Sequence, residues 1–233
     1  DDDSAAVNIV ESAGATHVTE AGATDTYTVV LNSQPTATVT ITVTGDAQAS
    51  ASPSTLTFTS ANWNVAQAVT VTAINDAVAE GAHTGTITHS AAGGGYTAVS
   101  IASVTANITD DDSAAVNIVE SAGATTVTEA GATDTYTVVL NSQPTANVTI
   151  TVTGDAQASA SPSTLTFTSA NWNVAQGVTV AAIDDAVAEG AHTGTITHSA
   201  AGGGYDAVGI ASVTATISDN DNAGVSVVQS GGD

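Results

Sequence analysis

Lysine, arginine, cysteine and methionine are all absent from the 233 residues, and aromatic residues make up only 3%. Each absence excludes something. Without lysine or arginine, the 23 aspartates and glutamates, with a formal net charge of −23, have only five histidines as side-chain cations to pair with. A chain with no basic patch cannot displace counterions from phosphates, so an electrostatic nucleic-acid binder is excluded. It also lacks the usual anchor for an anionic lipid surface. Without cysteine there is no disulfide and no thiolate metal site. With so few aromatics, the core has to be built from Val, Ile, Leu and Ala. No apolar run approaches the roughly 18 residues of a membrane helix, and no signal peptide or lipidation motif is visible, so direct membrane insertion is not expected. The chain opens on DDDSAAV and ends on SGGD in mid-pattern, which reads as a piece of something longer whose export signal lies elsewhere.

What is present is repetition. Asp1 to Val7 (DDDSAAV) returns as Asp110 to Val116, a period of 109, and residues 1–109 differ from 110–218 at nine positions, among them His17/Thr126, Asn75/Asp184 and Thr97/Asp206. Asp219-Asn220-Asp221-Asn222-Ala223-Gly224-Val225 starts a third copy. A period this long is one whole domain rather than a solenoid coil. The expected domains are therefore 1–109 and 110–218, with 219–233 supplying the linker and first strand of a third repeat.

Within each unit the period is two. Tyr27, Val29 and Leu31, then Val39, Ile41 and Val43, then Leu56 and Phe58, then Val69 and Val71 alternate largely with threonine. β-branched residues in alternation suit a half-buried pleated surface, and 42% hydrophobic residues so arranged argue against disorder. Asn32–Pro35, Gly45-Asp46, Ser52–Ser54 and Ala92–Gly95 punctuate the runs. Seven strands follow, over about 5–10, 25–32, 37–44, 54–59, 67–74, 84–89 and 96–109, the last with a bulge near Ala102-Ser103 where the alternation changes phase. The fold class is all-β: two tandem seven-stranded immunoglobulin-like β-sandwiches plus the first strand of a third repeat.

If neighbouring strands run in opposite directions, the acids gather. Glu20 and Asp25 precede the second strand, Asp46 follows the third, and Asp76 and Glu80 lie between the fifth and sixth. Glu11 follows the first strand and Asp110, Asp111 and Asp112 follow the last, so all share one end of the sandwich. The opposite loops hold no acid except Asp206 in the second unit. Like charges so gathered repel by about a few kcal/mol where partly buried, and they call for cations. Calcium fits the oxygen-rich set, whereas zinc and copper favour His or Cys at short spacing, and neither HxH nor HExxH occurs. The aspartates that close one unit also lead into the next, which places the expected ion at a domain junction.

Asn75-Asp76-Ala77-Val78-Ala79-Glu80-Gly81 and Asp184-Asp185-Ala186-Val187-Ala188-Glu189-Gly190 resemble the acidic loop of Calx-β domains, as do Val18-Thr19-Glu20 and Ile108-Thr109-Asp110-Asp111-Asp112. The resemblance spans both units. It implies a Ca²⁺-binding sandwich with ligands Glu20, Asp76, Glu80 and Asp110, Asp111 and Asp112 in the first unit. Glu129, Asp184, Asp185, Glu189, Asp219 and Asp221 are their counterparts in the second. Asp46 and Asp155 are added on the argument from the shared end. It also implies a large bacterial surface protein as the parent. Two departures stand out: Asn75 where Asp is expected, and Asn220 at the counterpart of Asp111.

The remaining residues read plainly. Glu11, Asp25 and Asp206 are expected to be surface acids, and the five histidines surface residues. Trp63 and Trp172, in Asn-Trp-Asn, are expected to cap the core rather than stack on sugars. Gly93–Gly95 is a turn and not a phosphate cradle. A glycosidase would need paired carboxylates across an aromatic-lined cleft, so no enzyme activity is expected. Two functions stay open. One is a calcium-stiffened structural array of an extracellular fibre, filament or adhesin stalk, whose partners are adjacent repeats or copies joined head to tail, with strand addition by Ala223–Val228. The other is a calcium-dependent adhesion module that takes a carbohydrate or protein receptor through its loops.

Overall fold

The computed structural model describes residues 4–228. The chain divides into two compact units, Asp1–Asp112 and Ser113–Asp233. The first contains β1 (Val7–Glu11), β2 (Thr16–Thr19), β3 (Asp25–Leu31), β4 (Val39–Thr44), β5 (Ala49–Ser52), β6 (Thr55–Phe58), β7 (Gln67–Ala73), β8 (His83–Ala92) and β9 (Val104–Thr109). They form a four-stranded sheet, β1-β3-β7-β5, and a five-stranded sheet, β2-β9-β8-β4-β6. Every pairing is antiparallel except β2 with β9. The second unit repeats this with β10 (Val116–Glu120), β11 (Thr125–Thr128), β12 (Asp134–Leu140), β13 (Val148–Thr153), β14 (Ala158–Ser161), β15 (Thr164–Phe167), β16 (Gln176–Ala182), β17 (His192–Ala201) and β18 (Val213–Ser218).

Alternation explains the layers. Tyr27, Val29 and Leu31 of β3 and Val69 and Val71 of β7 share one buried cluster with Val39 and Ile41 of β4, Phe58 of β6, Ile87 of β8 and Val104, Ala106 and Ile108 of β9. The intervening threonines face outward. Each fully buried Val, Ile, Leu or Phe side chain contributes about 1.5–3 kcal/mol, so a sandwich nearly free of tryptophan still has a sufficient core. The equivalent residues build the core of the second unit.

The all-β expectation holds, but each unit has nine strands rather than seven. Thr16–Thr19 is a strand because its Val18 enters the core while its backbone pairs in parallel with Ala106–Thr109. Ala49–Ser52 is a strand although Ala and Ser have little intrinsic preference for it. There the chain leaves the five-stranded sheet after β4, pairs with β7 in the other sheet, and returns as β6. Gly85 permits that crossing, since a Cβ on it would lie 2.6 Å from the Cβ of Ala49.

The last predicted run is also shorter than expected. Residues 96–103 carry no strand and there is no bulge at Ala102-Ser103; the pleat starts afresh at Val104. Buried Tyr96 fixes the preceding loop by donating its hydroxyl to the Ser33 carbonyl at 2.6 Å. Gly94, at φ 54°, passes so close to the Ala37 carbonyl that a Cβ would lie 2.5 Å from that oxygen. The expected third first strand, Ala223–Val228, is not a strand: Val225, Val227 and Val228 are 92%, 86% and 88% exposed, and the strand that β1 and β10 each pair with has no third counterpart in this sequence. Residues 229–233 lie outside the described residues. Among the described residues no helix is long and apolar enough to cross a membrane.

Candidate metal centre

The parallel pairing of β2 with β9 brings two acidic segments to one place. Thr19 and Thr109 are register partners, and the amide of Glu20 donates to the Thr109 carbonyl at 3.0 Å, so Glu20 and Asp110 leave the sheet side by side. β8 runs antiparallel to β9 and starts opposite Ile108, which delivers the 74–82 loop to the same point. Asp110 fastens that loop: its Oδ2 accepts the amides of Glu80 and Gly81 at 2.7 and 2.6 Å, and its Oδ1 accepts the amide of Asp112 at 2.8 Å.

Glu20, Asp110, Asp111 and Asp112 each offer an oxygen, all within 4.8 Å of one another. Glu20 is only 4% exposed, and no hydrogen-bond donor reaches either of its carboxylate oxygens among the described residues. Burial, then the charges of Asp110 and Asp76, push its pKa up. Asp112 is pushed up likewise, by burial and then by Asp110, Asp111 and Asp76. Asp110 differs: burial raises it, but the amides of Asp112, Gly81 and Glu80 outweigh burial and hold it below its usual range. Asp76 sits in the 74–82 loop, accepts the amide of Val78 at 2.7 Å and adds its field to the group. Glu80 accepts the Gln48 side-chain amide at 3.0 and 3.2 Å.

The second unit reaches a similar centre by a different distribution. Glu129, Asp184 and Asp221 form its group, with an unpartnered buried oxygen on both Glu129 and Asp221. Asp219 accepts the amides of Glu189 and Gly190 at 2.7 and 2.6 Å, as Asp110 does in the first unit. Asn220 stands where Asp111 did and donates its side-chain amide to Asp184 Oδ1 at 3.1 Å. The two departures in sequence thus offset each other: a carboxylate lost at 220 is regained at 184, where the first unit has Asn75, and each unit keeps six of the acids named from the resemblance. Asp185 and Glu189 lie in the 183–191 loop, the former accepting the amide of Val187 at 2.7 Å and the latter the Gln157 side chain at 3.1 Å.

Asp46 and Asp155 are not brought into these groups. Asp46 accepts the amides of Gln48 and Ala49 on Oδ1, at 2.9 and 3.0 Å, and of Thr86 on Oδ2 at 2.6 Å. Asp155 does the same with Gln157, Ala158 and Thr195. They hold the crossing from β4 to β5 and from β13 to β14, and their carboxylates already have donors. Glu11 and Asp25, expected as plain surface acids, are also engaged locally. Glu11 accepts the Thr16 hydroxyl at 2.8 Å, and Asp25 accepts the Ser12 hydroxyl and the His17 amide.

The histidines are less plain than the sequence suggests. His89 Nδ1 donates to the Ala102 carbonyl and its Nε2 accepts the Tyr27 hydroxyl at 2.7 Å, a half-buried structural pair repeated by His198 and Tyr136. His83 and His192 border the acidic centres, with Nε2 3.4 Å from Glu80 and from Glu189 respectively. The signal available in the sequence was Glu80 three residues before His83 at the mouth of β8; its facing partner Glu20 is visible only once β2 and β9 pair.

The donor set fits calcium. Buried carboxylate oxygens without donors, in a chain that has no lysine or arginine, have only His83 or His192 nearby as a side-chain cation, against several carboxylates. Calcium takes six to eight oxygens in flexible geometry, and carboxylates, with two oxygens each, are its usual protein donors. Glu20, Asp110, Asp111 and Asp112 would hold it in the first unit, and Glu129, Asp184 and Asp221 in the second.

No family model and no curated protein matches the chain. Among solved structures it is similar to CBD12 from CALX1.2, at 16% identity over 83% of this chain and 81% of that one, with a TM-score of 0.32. It is similar to the apo-form Calx CBD1 domain at 22% identity over 46% of this chain and 98% of that one, TM-score 0.32. The D00-D0 domain of Intimin is a third, at 13% identity over 94% and 100%, TM-score 0.30. The centre is defined by its own carboxylate geometry.

Proposed function

We propose that the chain is part of an extracellular structural repeat array in which calcium, bound at the acidic end of each unit, orders the loops there and restrains the passage into the next unit. The observation that carries this reading is Glu20, whose buried oxygens have no donor among the described residues and share their corner with the carboxylates of Asp110, Asp111 and Asp112. Asp76 and Glu80 join Glu20 and Asp110–Asp112 as oxygen donors, and Asp185, Glu189 and Asp219 join the second group. Asp110–Asp112 run directly into Ser113, the first residue of the second unit, so an ion on those aspartates limits the freedom of the connection itself. Sites with affinities typical of extracellular modules, about 10⁻⁴–10⁻³ M, fill outside a cell and empty within it. At a tenfold excess of calcium over Kd, each site adds about 1.4 kcal/mol of stability. The absence of lysine and arginine also leaves no bond for trypsin-like proteases, which suits an exposed fibre.

The exposed Val225, Val227 and Val228 supply a strand-forming edge that matches the place of β1 and β10, so the partner we assign to it is a further repeat, in the same chain or in another copy joined head to tail. An adhesion module that stacks a sugar on its tryptophans has less support, because Trp63 and Trp172 pack against the cores and their carbonyls accept the amides of Leu31 and Leu140. Small-angle scattering and thermal unfolding with calcium and with EGTA test the proposal. Calcium should raise the unfolding midpoint and narrow the distribution of maximum dimension; an unchanged midpoint and dimension would overturn it. Electron microscopy separates single rods from uniform filaments.

A further inference from the structure

A corner of each acidic centre has a composition that calcium does not call for. His83 Nδ1 lies 2.9 Å from the Gly81 carbonyl, and since a carbonyl only accepts, that nitrogen carries a proton and donates it. In the neutral form that a metal takes, Nε2 then presents a lone pair. Among the described residues it has no hydrogen-bond partner, and it faces Glu20 Oε1 at 3.6 Å and Glu80 Oε2 at 3.4 Å. Two carboxylate oxygens and an imidazole nitrogen converge within 4.8 Å of one another, and the Glu20 side chain is fully buried. In the second unit, His192 Nδ1 donates to Gly190, while its Nε2 lies 3.8 Å from Glu129 Oε1 and 3.4 Å from Glu189 Oε2.

We infer that Glu20, Glu80 and His83, and likewise Glu129, Glu189 and His192, form a second metal site that takes a borderline divalent cation of zinc's class. Donor chemistry separates it from the all-oxygen group, because imidazole suits zinc and its neighbours while calcium selects oxygen. The spacing also agrees. Ligand atoms about 2.0–2.1 Å from a tetrahedral ion stand about 3.3–3.4 Å apart, close to the separations about Nε2, and water completes the fourth position. A backbone carbonyl on Nδ1 is the arrangement that fixes the tautomer and aims Nε2 in histidine metal sites. Glu20 belongs to both groups, so its two oxygens can serve two ions. The inference goes beyond the calcium reading and does not depend on which ion fills the aspartate group.

The test uses the full chain in saturating calcium, titrated with zinc alone. Calorimetry should show two zinc sites per chain. Replacing His83→Gln together with His192→Gln should weaken zinc at least about tenfold, the loss that even an outer partner of a metal ligand causes. Calcium binding, measured separately, should change less than about twofold, since no calcium oxygen is removed. Equal zinc affinity in the variant, or no zinc binding in the presence of calcium, overturns the inference. Imidazole nitrogen resonances of the unaltered chain give a reading that needs no variant. Zinc should shift Nε2 of His83 and His192 and leave His89 and His198 unmoved; Nε2 signals of His83 and His192 that stay put also overturn it. Calcium binding that fails while zinc binds would sink the proposed function and spare this site.

Discussion

Gly81 donates its backbone amide to Asp110 Oδ2 across 2.6 Å, a separation of 29 residues closed by one aspartate that also takes the Glu80 amide. The carboxylate does two things at once: it ends the 74–82 loop and it faces Glu20. Asp110→Ala should therefore cost stability with or without calcium. Amide bonds to a charged acceptor contribute about 1.5–3 kcal/mol, and the loss should fall in that range in EGTA. In calcium the gap should widen, because a ligand has gone as well. Urea unfolding under both conditions measures it, and an equal loss in the two would leave Asp110 a loop anchor alone.

Glu20→Gln should reverse sign with calcium. In EGTA, the buried carboxylate has neighbours of its own charge and no donors, so a neutral amide of the same shape should stabilise the protein by about 1 kcal/mol. In calcium the variant should be the less stable of the two, having lost the charge that binds the ion. Paired thermal melts at matched pH decide it. A variant less stable than the unaltered chain in both conditions would mean that Glu20 meets a donor the structure does not show.

The gathering of acids at one end could be read from the sequence because strand direction alternates and the loops carry the acids. Which oxygens stay free could not. Asp46 and Glu20 look alike on paper, both next to predicted strands, yet Asp46 is consumed by three amides of the β4–β5 crossing. That crossing was invisible because Ala49-Ser50-Ala51-Ser52 has the alternation of a strand without its bulk. Thr16–Thr19 was missed because four residues with a single valine give too short a pattern. The run 96–109 misled in the opposite direction: Val99 and Ile101 are apolar and alternate, but Tyr96 tethered to Ser33 bends the chain away from the sheet. His83 needed Glu20 opposite it, ninety residues from the β9 strand that positions Glu20, before its chemistry could be seen.

Asp46→Asn provides the counterpart to the Glu20 experiment. Its three amide bonds are structural, so the variant should lose about 1 kcal/mol, the scale of a lost capping carboxylate. The loss should be the same in calcium and in EGTA, and calcium affinity should stay put. Burial pushes this carboxyl up, but the Gln48, Thr86 and Ala49 amides together hold it below its ordinary value, which marks it as charged and satisfied. Calcium titration by calorimetry checks it; a fall in affinity for the Asp46 variant would return the residue to the ligand set.

The two kinds of carboxylate predict opposite responses to acid. Glu20, Asp112 and Glu129 lie above their ordinary values, 4.5 for glutamate and 3.8 for aspartate, so the folded chain holds those protons more tightly than the unfolded chain. Stability from these groups is fully present below the ordinary value and is lost as pH rises through the raised one. Asp25, Asp46, Asp110 and Asp155 lie below 3.8, so their contribution is present above that value and is lost as pH falls through the lowered one. Protein stripped of metal should thus gain stability from the raised carboxylates as pH falls from 7 toward 4.5, against an opposing cost at His89 and His198, which burial holds below 6.5, and should lose stability as pH falls below 3.8. Calcium should reverse that gain, since it needs the ionised carboxylates and stabilises most where they are charged. The Glu20→Gln, Glu129→Gln double variant should show a smaller rise between pH 7 and 5 than the unaltered chain, which separates these two groups from the general relief of a charge of −23. An identical rise in the variant would mean that the buried glutamates do not govern the acid response.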